Sequence, residues 1–187
     1  MRIQNCPKRS PRNPNQTDIF KFVAMVKIMD ILFNESAKKE FDPDLIDEIT
    51  PNTGYPIWMK RDAFGREYFG VGNFCGLERT IKGNTDLSWL EWDGNEVFVS
   101  DTDKVLLFKK TVGIIKGWIS QLVENYPADR FVVFASFDAG DECENDSAMV
   151  GGCESEMFFT LRFWKKRDGQ GLDENTSFNQ PVIMWCN

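Results

Sequence analysis

Hydrophobic positions change their spacing along the chain, and the clearest helical spacing runs from about Asp103 to Asn125. Apolar residues there recur every three or four positions and so share one face of a helix. Pro127 ends this helix, because proline lacks the amide that the next turn needs. The apolar face consists of Val105, Phe108, Val112, Ile115, Ile119 and Leu122, and the candidate N-caps are Ser100, Asp101 and Thr102.

Shorter apolar runs predict strands before this helix. Residues Tyr55–Arg61 and Arg66–Val71 flank the turn-forming stretch 62–65, which indicates a β-hairpin. A second hairpin is predicted from Leu87–Trp92 and Glu96–Ser100, because an Asp-Gly pair between apolar runs favours a tight turn.

The rest of the chain completes a mixed fold. One or two short helices are predicted over Asn34–Ile49. Arg130–Phe137 has the continuous apolar character of a central strand, Glu156–Lys165 alternates between two faces, and Pro181–Cys186 is a last short strand. We therefore predict an α+β fold, with the long helix packed on one face of a mostly antiparallel sheet.

Charge divides the chain into two unequal parts. Of 22 basic and 29 acidic residues, six basic and one acidic lie in residues 1–28, which leaves residues 29–187 with a net charge of −12. We expect residues 1–28 to form a disordered basic extension, with a basic arm or a targeting peptide as alternatives. Residues 29–187 are predicted to form a single globular α+β domain.

The missing residue types narrow the chemistry. The chain has no histidine, so it has neither the usual proton-transfer residue near neutral pH nor the commonest metal ligand. Its five cysteines are widely spaced and include no Cys-x-x-Cys pair. We predict no metal, no cofactor and no catalytic residues, although a small enzyme or a ligand-binding domain that uses carboxylates or tyrosine stays open as an alternative.

An acidic stretch follows the predicted central strand and is the most distinctive polar feature. Its spacing does not match a calcium-binding loop, and a metal-dependent nuclease would need a lysine nearby, whereas Lys165 falls at the far end of its strand. A solvated loop or a docking surface for a cationic partner are the remaining interpretations. Its carboxylates are Asp138, Asp141, Glu142, Glu144, Asp146, Glu154 and Glu156.

Aromatic residues offer possible anchors beside this acidic surface. Trp89 and Trp92 are predicted to point to opposite faces of a strand, so that one ring is exposed, and Trp164 shares one face of the alternating strand with Thr160 and Arg162. An exposed ring near carboxylates attracts arginine or lysine through a cation–π contact. Trp89, Trp92 and Trp164 are therefore the candidate anchors.

These features together favour a non-enzymatic binding module that recognises a basic protein. A concrete version is a bacterial immunity or antitoxin protein that neutralises a cationic toxin such as a nuclease. The acidic body argues against nucleic-acid binding, and the chain has no apolar run of the roughly 20 residues that span a membrane. We expect a cytoplasmic protein, and the sequence leaves its oligomeric state open.

Overall fold

The computed structural model describes residues 31–72, 86–140, 156–170 and 178–187 of the chain. A 3-10 helix (Pro43–Glu48) lies between α1 and β2. The remaining elements are β1 (Leu32–Phe33), α1 (Glu35–Glu40), β2 (Ile57–Arg61), β3 (Glu67–Val71), α2 (Leu87–Gly94), β4 (Val97–Asp101), α3 (Lys104–Asn125), β5 (Phe131–Asp138), β6 (Met157–Lys165) and β7 (Val182–Cys186).

Five strands form one antiparallel sheet in the order β1-β7-β5-β6-β4. Strand β5 is central, as its apolar sequence predicts, and β1 and β4 are the outer strands. The α+β prediction is confirmed, because α3 packs against β4, β5 and β6 and the short helices precede it. Strands β2 and β3 form a separate antiparallel hairpin, again as predicted.

The two faces of the sheet are covered differently. The near face carries alternate residues of β5 and β6 that pack beneath α3 in the main core, among them Val133, Phe159 and Phe163. The far face carries the other alternate residues, and a smaller cluster there contains Trp92, Val132, Phe134, Trp164 and Val182. This division follows from the period of two in a strand.

Helix α3 agrees with the predicted span but differs in two details. Its N-cap is Asp103, whose carboxylate accepts hydrogen bonds from the amides of Val105 and Leu106, so the cap is not Ser100, Asp101 or Thr102. Val105 is 53% exposed, because it lies in the first turn beyond the covered part of the helix. The other five residues of the predicted apolar face are buried.

A loop of the protein rests directly on α3 at two glycines. The amide of Asn52 donates to the carbonyl of Gly113 at 2.7 Å. A Cβ atom at Gly117 would lie 1.9 Å from the carbonyl oxygen of Asn52, so only glycine permits this approach. The loop thereby fixes the segment that follows the 3-10 helix against α3.

The predicted second hairpin is wrong in its first half. Residues Leu87–Gly94 form helix α2, which begins at the N-cap Asp86 and ends before Asn95. Gly94 is not among the glycines with positive φ, and a tight Asp-Gly hairpin turn needs that conformation. Only the second half, Val97–Asp101, is a strand, and it pairs with β6.

Candidate partner-binding site

The acidic stretch begins and ends at one end of the sheet. Asp138 is the last residue of β5, and Glu156 precedes β6, whose Phe158 lies directly opposite Asp138 in the antiparallel pair. Both carboxylates are exposed, and neither forms an ion pair with a residue that the structure describes. The predicted residues Asp141, Glu142, Glu144, Asp146 and Glu154 lie outside the described residues.

An aromatic pair with one exposed and one half-buried ring lies on the far face at this end of the sheet. Residues directly opposite one another in antiparallel strands project to the same side, so Ser100, Phe158 and Asp138 form one row across β4, β6 and β5. Phe98 lies one row further along and is 63% exposed. Its ring centroid is 6.4 Å from that of Phe158. These four residues, Phe98, Ser100, Asp138 and Phe158, are named the open patch.

The rings proposed as anchors are mostly buried. Trp92 and Trp164 are 9% and 5% exposed, and their ring centroids lie 5.0 Å apart in an edge-to-face contact. Their burial removes them as surface anchors. The prediction for Trp89 and Trp92 assumed that both lie on a strand. They lie instead on helix α2, which packs Trp92 onto the far face of the sheet and leaves Trp89 45% exposed.

Arginine already occupies the covered half of the far face. The guanidinium of Arg162 lies over the ring of Trp92, 4.7 Å from its centroid, and is hydrogen-bonded to Glu96. This contact lies at the border between the far-face aromatic cluster and the open patch. It groups an aromatic ring, a cation and a carboxylate within the chain.

An ion pair fixes the backbone between β4 and α3 at the acidic end of the sheet. The ammonium of Lys110 lies 2.6 Å from a carboxylate oxygen of Asp101. The hydrogen bond from Lys110 lowers the pKa of Asp101, and hydrogen bonds from the backbone at Asp103 and Thr102 add to this effect. Asp101 therefore stays ionised and fixes the turn between β4 and α3.

A pocket of about 360 Å³ opens at the same end of the sheet, towards the near face. Asp138 and Phe137 line it from β5, and Lys104 lines it from α3. Lys104 is hydrogen-bonded to Glu40 and lies over the rings of Phe41 and Phe137. Because Lys104 and Glu40 neutralise one another, the pocket wall adds little charge beyond that of Asp138.

The buried carboxylate of the described residues lies elsewhere, at the opposite end of β6. Glu91 of α2 accepts two hydrogen bonds from the guanidinium of Arg167, at 2.7 and 2.9 Å, and is 0% exposed. It also accepts from the amides of Phe69 and Lys165. Burial raises the pKa of Glu91, and the guanidinium and the two amides oppose this shift.

The pair of Glu91 and Arg167, which we name the polar node, joins α2, the β2–β3 hairpin and β6. Asn95 extends it, because its side chain accepts from the amide of Val71 and donates to the carbonyls of Phe69 and Phe163. Each carboxylate oxygen of Glu91 accepts two hydrogen bonds from within the protein, which is typical of a structural and not a catalytic carboxylate. The node fixes α2 and the β2–β3 hairpin to β6.

Sequence reasoning missed Phe98 and Phe158 as site residues and missed the polar node. The alternation along β6 places Phe158 on the outer face, so a signal for it exists in the sequence. The exposure of Phe98 depends on β4 being an outer strand, which the local pattern does not reveal.

A metal site or a membrane-spanning helix in the described part of the chain, or a match to a known family or structure, could each assign a function, and none does so. Among the described residues there is no group of three or more Cys, Asp or Glu side chains placed to hold a metal ion. No helix within the described ranges has both the length and the apolar character to cross a membrane. No protein-family model matches the chain, and no solved structure matches it.

Proposed function

We propose that the protein is a binding module that recognises a cationic protein through the acidic end of its sheet. The supporting observation is the open patch, where the half-buried ring of Phe158 lies beside the exposed Asp138 and is in contact with the exposed ring of Phe98. An aromatic ring flanked by a carboxylate binds arginine or lysine by a cation–π contact and an ion pair together.

Charge on the whole molecule favours the same class of partner. Residues 29–187 carry a net charge of −12, which attracts a basic protein over a distance and repels nucleic acid. The concrete form of the proposal is a cytoplasmic bacterial immunity or antitoxin protein that blocks a basic toxin such as a nuclease. Glu156 and the acidic residues that follow Asp138 in sequence would contribute to the same surface.

The alternative function, a small enzyme or ligand-binding domain that uses carboxylates or tyrosine, rests on the pocket beside Asp138. Within that pocket Glu40 is paired with Lys104, and the buried carboxylate Glu91 belongs to the polar node at the other end of the sheet. Among its described residues the pocket therefore supplies one unpaired carboxylate, Asp138, where acid–base chemistry between two groups needs a pair with different environments. We favour the binding module for this reason.

The experiment is a titration of the full chain against a panel of toxin nuclease domains with an isoelectric point above about 9. We expect binding to at least one domain, with an affinity that falls as salt rises from about 0.05 to 0.5 M. The absence of salt-sensitive binding to every domain of the panel would overturn the proposal.

Matched charge reversals locate the surface. The double substitution Asp138→Lys and Glu156→Lys should weaken binding at least tenfold at low salt. The control is Asp44→Lys with Glu48→Lys, which changes the net charge equally at two exposed residues of the 3-10 helix. An equal loss in both variants would mean general attraction to a negative protein and would contradict a site at the open patch.

A further inference from the structure

Strand β4 forms an outer edge of the sheet, and its backbone groups point in known directions. The amide of Lys166 donates to the carbonyl of Arg130, on the β5 side of β6. Because these directions alternate along a strand, Phe159 and Leu161 direct their amides and carbonyls towards β4. Their partners on β4 are Val99 and Val97.

It follows that Phe98 and Ser100 direct their amides and carbonyls away from β6. The carbonyl of Phe163 accepts from Asn95, immediately before β4, which agrees with this alternation. In the described part of the chain, β4 is paired only with β6. The outer side of β4 thus presents a short ladder of hydrogen-bonding groups at the border of the open patch.

The two outer strands of the sheet differ in how they are protected. Strand β1 has two residues, and next to it the side chain of Asn34 bonds the amide of Val182 and the carbonyl of Gln180. Strand β4 has five residues, with no proline and no lysine, and carries the exposed Phe98. Long, apolar edges without such protection are where further strands pair.

Charge selects what would pair with β4. Glu96 before the strand is paired with Arg162, and Asp101 at its end is paired with Lys110. Beyond the Asp101 end, Asp103, Asp138 and Glu156 form no ion pair with a residue that the structure describes. A second copy of the chain, paired with this edge, would bring together two bodies that each carry −12 over residues 29–187. An extended segment with alternating apolar and cationic residues would instead meet the unpaired carboxylates beyond the Asp101 end.

We infer that β4 accepts an extended cationic segment of the partner as an additional antiparallel strand, hydrogen-bonded to the backbone of Phe98 and Ser100. The inference rests on the proposed function, and it adds the conformation of the bound segment. A cationic side chain of the new strand would lie on the far face over Phe98, because paired residues project to the same side.

The test uses the full chain and a capped peptide of four Lys-Val repeats, with a peptide of four Glu-Val repeats as the charge control. We expect salt-sensitive binding of the Lys-Val peptide alone, together with slowing of amide hydrogen exchange at Phe98 and Ser100 by at least tenfold. Ser100→Pro removes an outward amide and leaves the bonds to β6, so it should weaken binding at least tenfold. Ser100→Ala keeps that amide, so the Lys-Val peptide should still slow the exchange of the Phe98 amide in this variant.

Each contrary result points to a different failure. If the peptide and a nuclease domain bind but exchange at Phe98 and Ser100 is unchanged and Ser100→Pro binds normally, the edge inference is wrong and the proposed function stands. If exchange at these two amides is slow in the free protein and quickens on dilution, a second copy occupies the edge and the inference is wrong. If neither the peptide nor any nuclease domain binds, both proposals fail. The exchange measurement on the wild type decides the matter even if Ser100→Pro does not fold.

Discussion

The two ends of strand β6 use carboxylates in opposite ways. At the Lys165 end, Glu91 is fully buried and receives four hydrogen bonds. At the Met157 end, about 26 Å away along the strand at 3.3 Å per residue, Asp138 and Glu156 are exposed and unpaired among the described residues. A saturated carboxylate stabilises the fold, whereas an unsaturated one remains available to a partner.

The largest expected effect is on the polar node. Arg167→Met leaves the buried Glu91 without its counter-ion and should lower the free energy of unfolding by about 3–5 kcal/mol. Urea denaturation followed by tryptophan fluorescence measures this change. A loss below about 1 kcal/mol would mean that the ion pair is solvated and that the contrast between the two ends is wrong.

A double variant separates the effect of leaving one charge unpaired from the effect of removing both charges. Glu91→Leu combined with Arg167→Met removes both charges, so no unpaired ion is buried, and the double variant should be more stable than Arg167→Met alone. It should stay below the wild type by about 1–3 kcal/mol, because the amides of Phe69 and Lys165 lose their acceptor. A double variant that is less stable than the single variant would contradict this account.

At the acidic end, substitutions should leave stability nearly unchanged. Asp138→Asn and Phe98→Ala, made singly, should each change the free energy of unfolding by no more than about 0.5 kcal/mol, because both residues are exposed. The same urea denaturation measures them. A loss comparable with that of Arg167→Met would show that the open patch serves the fold.

The smallest effect concerns the pH dependence at Asp101. The hydrogen bond from Lys110 lowers its pKa, so the carboxylate stabilises the fold at and above the pKa of an unfolded aspartate, about 3.9. That contribution is lost as pH falls through the lowered pKa of the folded state. The melting temperature of Asp101→Asn should therefore lie slightly below that of the wild type at pH 7 and converge with it towards pH 2. A constant difference between pH 7 and pH 2 would contradict this assignment.

Local patterns predicted the elements whose environment follows from their own sequence. Helix α3, the β2–β3 hairpin and the central position of β5 agree with the prediction, because a continuous apolar face or run defines each of them. The turn of the hairpin also uses local chemistry, since Asp62 accepts from the amides of Phe64 and Arg66.

Helix α2 was mispredicted because its strongest contacts lie far along the chain. Glu91 binds Arg167, 76 residues away, and Ser88 donates to the carbonyl of Lys165. Polar residues that face the interior look exposed in the sequence alone, so α2 read as a strand with alternating faces. The error also carried Trp92 to the surface in the prediction, although its ring is buried against Phe134 and Trp164.

The most direct test of the central claim pairs two measurements on one variant. The combined substitution Phe98→Ala with Asp138→Asn is compared with the wild type, both in urea denaturation and in titration with a cationic nuclease domain that binds the wild type. We predict an affinity at least tenfold lower, with the free energy of unfolding within about 1 kcal/mol of the wild type. Unchanged affinity in a variant of normal stability would contradict a partner-binding role for the acidic end.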